Sequence, residues 1–177
     1  TCLGVLLGSL TPVGHFHNSF FSVSFIDAIR SQSRQVPPEF RRKLLKDTPR
    51  FLAVLTLVAE KAGWARPLPS GRARGVALHE SFGSVVAQVV EVSLVDGKPR
   101  LHRVICAADC GTIINPGIVA QQMEGDVILA LSAALYGKVD VLAGVVQQNN
   151  FPSAPASGRQ DAPHSETWPM APESSPG

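Results

Sequence analysis

The sequence predicts an α+β fold in which helices come first and an antiparallel β-hairpin followed by a long helix comes after. Three observations carry this. Apolar residues recur at helical spacing up to about residue 63, a valine-rich run flanks a strong hairpin signal at Asp96-Gly97, and Asn115-Pro116 opens a second helical stretch. The first charge is Asp27, and Gly4, Gly8, Pro12, Gly14 and Asn18 break up the neutral opening. No basic segment precedes it, so it reads poorly as a signal peptide or a membrane span.

The elements follow in order. From Ser22 to about Ser33, Phe25, Ile26 and Ile29 define one helical face. Pro37 and Pro38 interrupt, and Pro38 suits the first turn of a short helix carrying Phe40, Leu44 and Leu45. Asp47 and Thr48 are capping types before Pro49, and the next helix puts Phe51, Leu55, Val58 and Ala62 on one stripe before Gly63 stops it. Pro67–Gly75 reads as a basic loop and Val76–Ser81 as a short strand. Val85–Val95 and Arg100–Ala107 are the two arms of the hairpin, with Leu101, Arg103 and Ile105 on one face and His102, Val104 and Cys106 on the other. Asp109-Cys110-Gly111 is a turn. Asn115 caps a helix that Pro116 enters and Gly137 ends near Tyr136, and Val139–Val146 begins a further strand.

Composition narrows function only slightly. A hydrophobic share of 45% and a charged share of 17% fit a globular chain, and a net charge of +2 implies no pull toward nucleic acid. The three cysteines are too few for a zinc motif, so Cys106 and Cys110 are expected as small buried residues. Six of the fourteen prolines lie between Pro152 and Pro176, where no period of 2 or 3.6 is found; residues 152–177 are expected to be a disordered or aberrant tail. The chain begins with Thr1, which reads as a fragment.

No phosphate loop, zinc motif, nucleophile elbow or carboxylate pair occurs. His79 and Glu80 are neighbours on a strand and point to opposite faces, which argues against shared proton chemistry. His15 and His17 could project together from an extended loop, with packing favoured over metal ligation. The segment Asp109–Gly125, DCGTIINPGIVAQQMEG, is more informative. A glycine turn feeds a capped helix whose first N–H groups are expected to be free, an end that favours an anion. Gln122 offers an amide, and Gly125, on nearly the same face, lets a ligand approach the backbone. On spacing alone the segment is a plain amphipathic helix.

The stretches GRARGVALHESFGSVVAQVVEVS, GKPRLHRVICAADCGTIINPGIVAQQMEG and LSAALYG resemble the C-terminal molybdopterin-binding region of the isoquinoline 1-oxidoreductase beta subunits, within the xanthine dehydrogenase and aldehyde oxidase superfamily. VGHFHNSF, SFIDAI, FRRKLL and PRFLAVLTLVAEKAGW match the same pattern in the same order. The resemblance covers residues 11–151, leaving 1–10 as an atypical end.

The resemblance implies a large subunit that binds molybdopterin, in its cytosine dinucleotide form, and hydroxylates an N-heterocyclic aromatic with water-derived oxygen. Electrons would leave through a small subunit carrying [2Fe-2S] clusters. It assigns Gln122 and Gly125 to the cofactor and Val13 and Gly14 to the substrate pocket. Thr11 stands where relatives have an arginine, and Asp126 where they often have a second glycine. The family's catalytic glutamate sits in a GEPG-like motif, which is absent here, so no catalytic residue is assigned and the isolated chain is expected to be inactive. Two other readings stay open: an aldehyde dehydrogenase of the same superfamily, and a non-catalytic remnant or interaction module. Exposed apolar faces and poor solubility are expected. No direct membrane span is expected, and the compartment stays open between bacterial cytoplasm and periplasm.

Overall fold

The computed structural model describes residues 15–148 and 163–170. Three helices come first: α1 (His15–Ser33), α2 (Pro37–Leu44) and α3 (Pro49–Lys61). A three-stranded meander follows, β1 (Arg72–Ser81), β2 (Ser84–Val95) and β3 (Lys98–Asp109), and then α4 (Pro116–Tyr136). A small ribbon of β4 (Val141–Leu142) and β5 (Val145–Val146) precedes β6 (His164–Met170). The main sheet runs β1-β2-β3-β6, antiparallel except for the parallel pairing of β3 with β6. The α+β expectation holds, with the hairpin enlarged to a meander.

The turns explain the meander. Asp96 and Gly97 have φ of 51° and 73°, the paired left-handed conformations of a type I′ turn, and they close β2 onto β3 with Val95 opposite Lys98. Phe82 and Gly83, at 49° and 80°, make the same turn between β1 and β2. The sequence reading missed this second turn because a phenylalanine occupies the first left-handed position. The expected loop at Pro67–Gly75 is therefore shorter: β1 starts at Arg72, where Arg72 pairs with Ser93.

Residues of alternate parity build two cores on the two faces of the sheet. On one face Val76, Val85, Ala87, Val89, Ile105 and Ala107 meet Val54, Leu55, Val58 and Ala62 of α3 and its C-terminal end. Leu55, Val58, Val85, Val89 and Ile105 are fully buried. On the other face Cys106 and Ala108 meet Met123 of α4, with Val86 and Val119 alongside. The helices thus pack on both sides of the sheet, α3 across the centre of one face and α4 on the other, chiefly beside β6.

Three expectations change. The patternless tail does not hold for 164–170: β6 pairs with β3 from Arg103↔His164 to Asp109↔Met170. Arg103 Nε donates to Glu166 Oε1 at 2.7 Å, and Lys61 Nζ lies 3.6 Å from the Trp168 ring centroid, so charge and ring contacts seat the strand. Pro169 is tolerated because β6 is an edge strand. Helix α1 starts at His15 rather than Ser22, which places His15 and His17 on a helix rather than on an extended loop. Thr48 stands at the N-cap of α3, but its hydroxyl donates back to the Leu45 carbonyl at 3.0 Å instead of capping.

Candidate functional site

The chain around β3, its following turn and α4 is fastened at both ends of the loop. Asp109 ends β3 and accepts from the Gly111 N–H at 3.0 Å, with Gly111 at φ 78°. Arg50, in the first turn of α3, grips Asp109 with both prongs: Nε to Oδ2 at 2.6 Å and Nη2 to Oδ1 at 3.1 Å, with a further bond from Nη2 to the Asp109 carbonyl at 2.9 Å. The Arg50 hydrogen bond holds the Asp109 carboxyl below its ordinary range, against the opposing effect of burial. Sequence reading saw only a turn here. The partners lie 59 residues apart, and no local pattern joins them.

The Asn115 cap forms as expected, with a consequence that overturns part of the anion-site argument. Its Oδ1 accepts from Gly117 N at 3.0 Å and Ile118 N at 3.3 Å, and its carbonyl accepts from Val119 N at 3.3 Å. Pro116 has no N–H to give. The first-turn donors of α4 are therefore engaged within the chain, and this helix end does not cradle an anion by itself.

Further along, α4 sorts its residues by face. Met123 and Val127 are buried against the sheet, whereas Gln122, Gly125 and Asp126 are exposed. Gln122 has no hydrogen-bond partner among the described residues. A Cβ built on Gly125 would meet nothing within 4 Å. Residues 118 and 129 share this side at helical spacing, and Ile118 and Leu129 are 57% and 68% exposed. The two residues assigned to the cofactor thus lie on one open face between exposed apolar residues. On this face the Gln122 amide and the backbone at Gly125 are both open to solvent. Val13 and Gly14, like Thr11, lie outside the described residues.

The other candidates resolve into packing. His15 Nδ1 and His79 Nε2 stand 3.3 Å apart, and the His15 ring lies 5.1 Å from that of Phe82. Burial, with the neighbouring His15, pushes the His79 pKa down. His17 is exposed, edge-on to Phe21. Glu80 accepts from the Gly83 N–H at 2.8 Å, which braces the β1–β2 turn. Among the described residues no group of three His, Cys, Asp or Glu side chains could hold a metal. Cys106 is buried, and desolvation raises its thiol pKa to about 11 with a smaller contribution from Asp126. Cys110 departs from expectation: it follows the strand end and is exposed.

By length and composition, α4 could cross a membrane. Its buried residues are Met123 and Val127, and Met123 packs on Cys106 and Ala108 of β3.

A molybdopterin cofactor-binding domain family matches residues 57–163, more than half of the chain, and the chain belongs to this family. It is 36% identical over 148 residues to the beta subunit of isoquinoline 1-oxidoreductase from Brevundimonas diminuta, covering 81% of this chain and 19% of that protein. It is 30% identical over 180 residues to a subunit of nicotinate dehydrogenase from Pseudomonas putida, covering 86% of this chain and 15% of that protein. Among solved structures, quinoline 2-oxidoreductase from Pseudomonas putida 86 aligns at 24% identity with a TM-score of 0.44, over 52% of this chain and 12% of that one. The chain spans about a fifth or less of the length of these curated relatives.

Proposed function

We propose that this chain forms part of the molybdopterin-binding large subunit of an oxidoreductase that hydroxylates N-heterocyclic aromatics. The observation that carries the reading is the open α4 face, where an unpartnered Gln122 amide stands beside an uncrowded Gly125 within the family's matched region. The two curated relatives are named for isoquinoline and nicotinate, which favours a ring-nitrogen substrate over an aldehyde.

When bound, the cofactor supplies the redox chemistry that places a water-derived oxygen on an electron-poor ring carbon. The chain's own share is binding and orientation. Gln122 uses its amide as both donor and acceptor toward the pterin, and Gly125 admits the ligand to the backbone. The Arg50–Asp109 clamp and the Asn115 cap fix where α4 begins relative to the sheet. The resemblance assigns Val13 and Gly14 to the substrate pocket. The catalytic base comes from outside these residues, since no GEPG-like motif is present. The cofactor carries cytosine dinucleotide, and electrons pass to a small [2Fe-2S] subunit.

Metal analysis of the purified chain, alone and with an iron–sulfur partner, tests the reading. Stoichiometric molybdenum, lost on Gln122→Leu, with cytidine monophosphate released by acid hydrolysis, is the expected result. A cooperatively folded chain without molybdenum in either preparation would overturn it.

A further inference from the structure

A second cavity, separate from the α4 face, lies on the α3 side of the sheet. It is half-open, has a volume of about 340 Å³ and is lined by Val23 and Ile26 of α1, Leu44 at the end of α2, Phe51 of α3 and Leu78 of β1. Phe51 and Leu78 also pack on the core under α3, so two of its walls rest on the best-packed part of the molecule. Pockets that take small molecules have volumes of roughly 300–1,000 Å³, mostly apolar with a few convergent polar groups. This one is at the small end of that range, a size for one ring and a short substituent.

Its polar lining is specific. Arg41 is 3% exposed; Nη1 donates to Asp27 Oδ1 at 2.9 Å, while Nη2 is buried with no hydrogen-bond partner among the described residues. A buried guanidinium donor without an acceptor is unfavourable, and such a group calls for a ligand atom that can accept from it. The wider groove beside Trp64 offers no comparable donor. There Arg74 is committed to the Gly63, Trp64 and Arg66 carbonyls and Arg103 to Glu166, and Arg42 is paired with Glu39.

The charges around Arg41 decide what the acceptor is. Asp27 already neutralises Arg41 and also faces Arg30 at 3.7 Å, and Glu80 is among the residues lining the same cavity. His79, the remaining polar wall, has its pKa lowered by burial and stays uncharged at neutral pH. Arg41 and Arg30 thus share Asp27, and the cation nearest Glu80, Arg50, is already paired with Asp109. An added anion would meet two like charges with no free cation to balance it.

We propose that this cavity binds a small uncharged aromatic carbonyl compound, such as a carboxamide, whose ring occupies the apolar walls and whose oxygen accepts from Arg41 Nη2. The inference does not depend on cofactor binding at α4.

Titration of the full chain with benzamide, benzoate and toluene tests it, read by NMR of the Arg41 guanidinium protons and the Val23 and Leu78 methyl groups. Benzamide is expected to bind saturably and shift both sets of signals, with benzoate and toluene each at least tenfold weaker. Val23→Trp, which fills the cavity from a half-buried position, is expected to abolish the shifts while keeping a cooperative melt. Leu44→Trp, at the exposed rim, serves the same purpose if the first variant fails to fold. The proposal is overturned by no saturable response to benzamide, by toluene or benzoate binding as tightly, or by undiminished binding in the folded, filled variant.

Discussion

Removing the Asn115 side chain tests how the start of α4 is built. In Asn115→Ala, Gly117 N and Ile118 N lose the acceptor they hold at 3.0 and 3.3 Å, while the Val119 bond to the residue-115 carbonyl remains. Loss of an asparagine N-cap costs about 0.5–2 kcal/mol. Asn115 is exposed, so water replaces part of what is lost, and the second bond is the longer one; we therefore expect about 1 kcal/mol. For a chain of this size that lowers Tm by about 2–4 °C. Urea unfolding should show a lower midpoint at unchanged slope, and amide exchange at Gly117 and Ile118 should accelerate before that of Met123. Asn115→Asp retains the acceptor and adds charge at the positive end of the helix, so it should match or exceed the parent stability. An alanine variant as stable as the parent, with an aspartate variant less stable, would refute the capping account and restore the idea of free donors at this helix end.

Three other outcomes follow from the same contacts. Because Arg50 lowers the folded-state pKa of Asp109 below its ordinary 3.8, the pair's contribution is complete above that value and is lost as pH falls through the lower folded value; acid unfolding below about pH 4 should therefore be less steep in Arg50→Gln than in the parent. Iodoacetamide at pH 8 should modify Cys110 and spare Cys106, whose buried thiol titrates near 11, until the chain is denatured; mass mapping that finds Cys106 modified first would contradict the packing on that face. Asp126→Gly, made in a complete large subunit, should raise molybdenum occupancy by removing a carboxylate one turn from Gln122, and unchanged occupancy would place Asp126 away from the cofactor.

Local rules made much of this fold legible, and they failed where contacts are distant. Asp96-Gly97 specified its turn because both residues tolerate positive φ, and Asn115-Pro116 specified a helix start by chemistry confined to four residues. Phe82-Gly83 forms the same kind of turn, but a phenylalanine at φ 49° violates the local preference and is held by strand pairing on both sides. Strand β6 was hidden for a different reason. HSETWPM has no clean alternation and sits among prolines, and its order comes from β3, Arg103 and Lys61, all of them remote in sequence. At the α4 site, the face carrying Gln122 and Gly125 could be read from i, i+3 spacing. The engagement of the first-turn donors could not, since an asparagine cap and an open anion site look alike as strings of letters.

The distribution of exposed apolar residues ties these results together. The core under α3 is complete: Val54, Leu55, Val58, Val85, Val89 and Ile105 are fully buried. The helices on the periphery are not. Phe20, Phe21 and Phe25 of α1 are 62–67% exposed, and α4 buries Met123 and Val127 while leaving Ile118, Ile128 and Leu129 in the open. A fold that needed only itself would place polar residues at those positions, because each large apolar side chain left in water forgoes the gain of burial, about 25 cal/mol per Å² of apolar surface. The apolar exposure on α4 surrounds the Gln122–Gly125 face, whereas the turn and clamp residues that aim this helix, Arg50, Asp109 and Asn115, are polar and internally paired. That division, a helix fixed in position at its polar start and left uncovered along its apolar side, is what a surface shaped to receive a ligand or a neighbouring part of a larger protein requires.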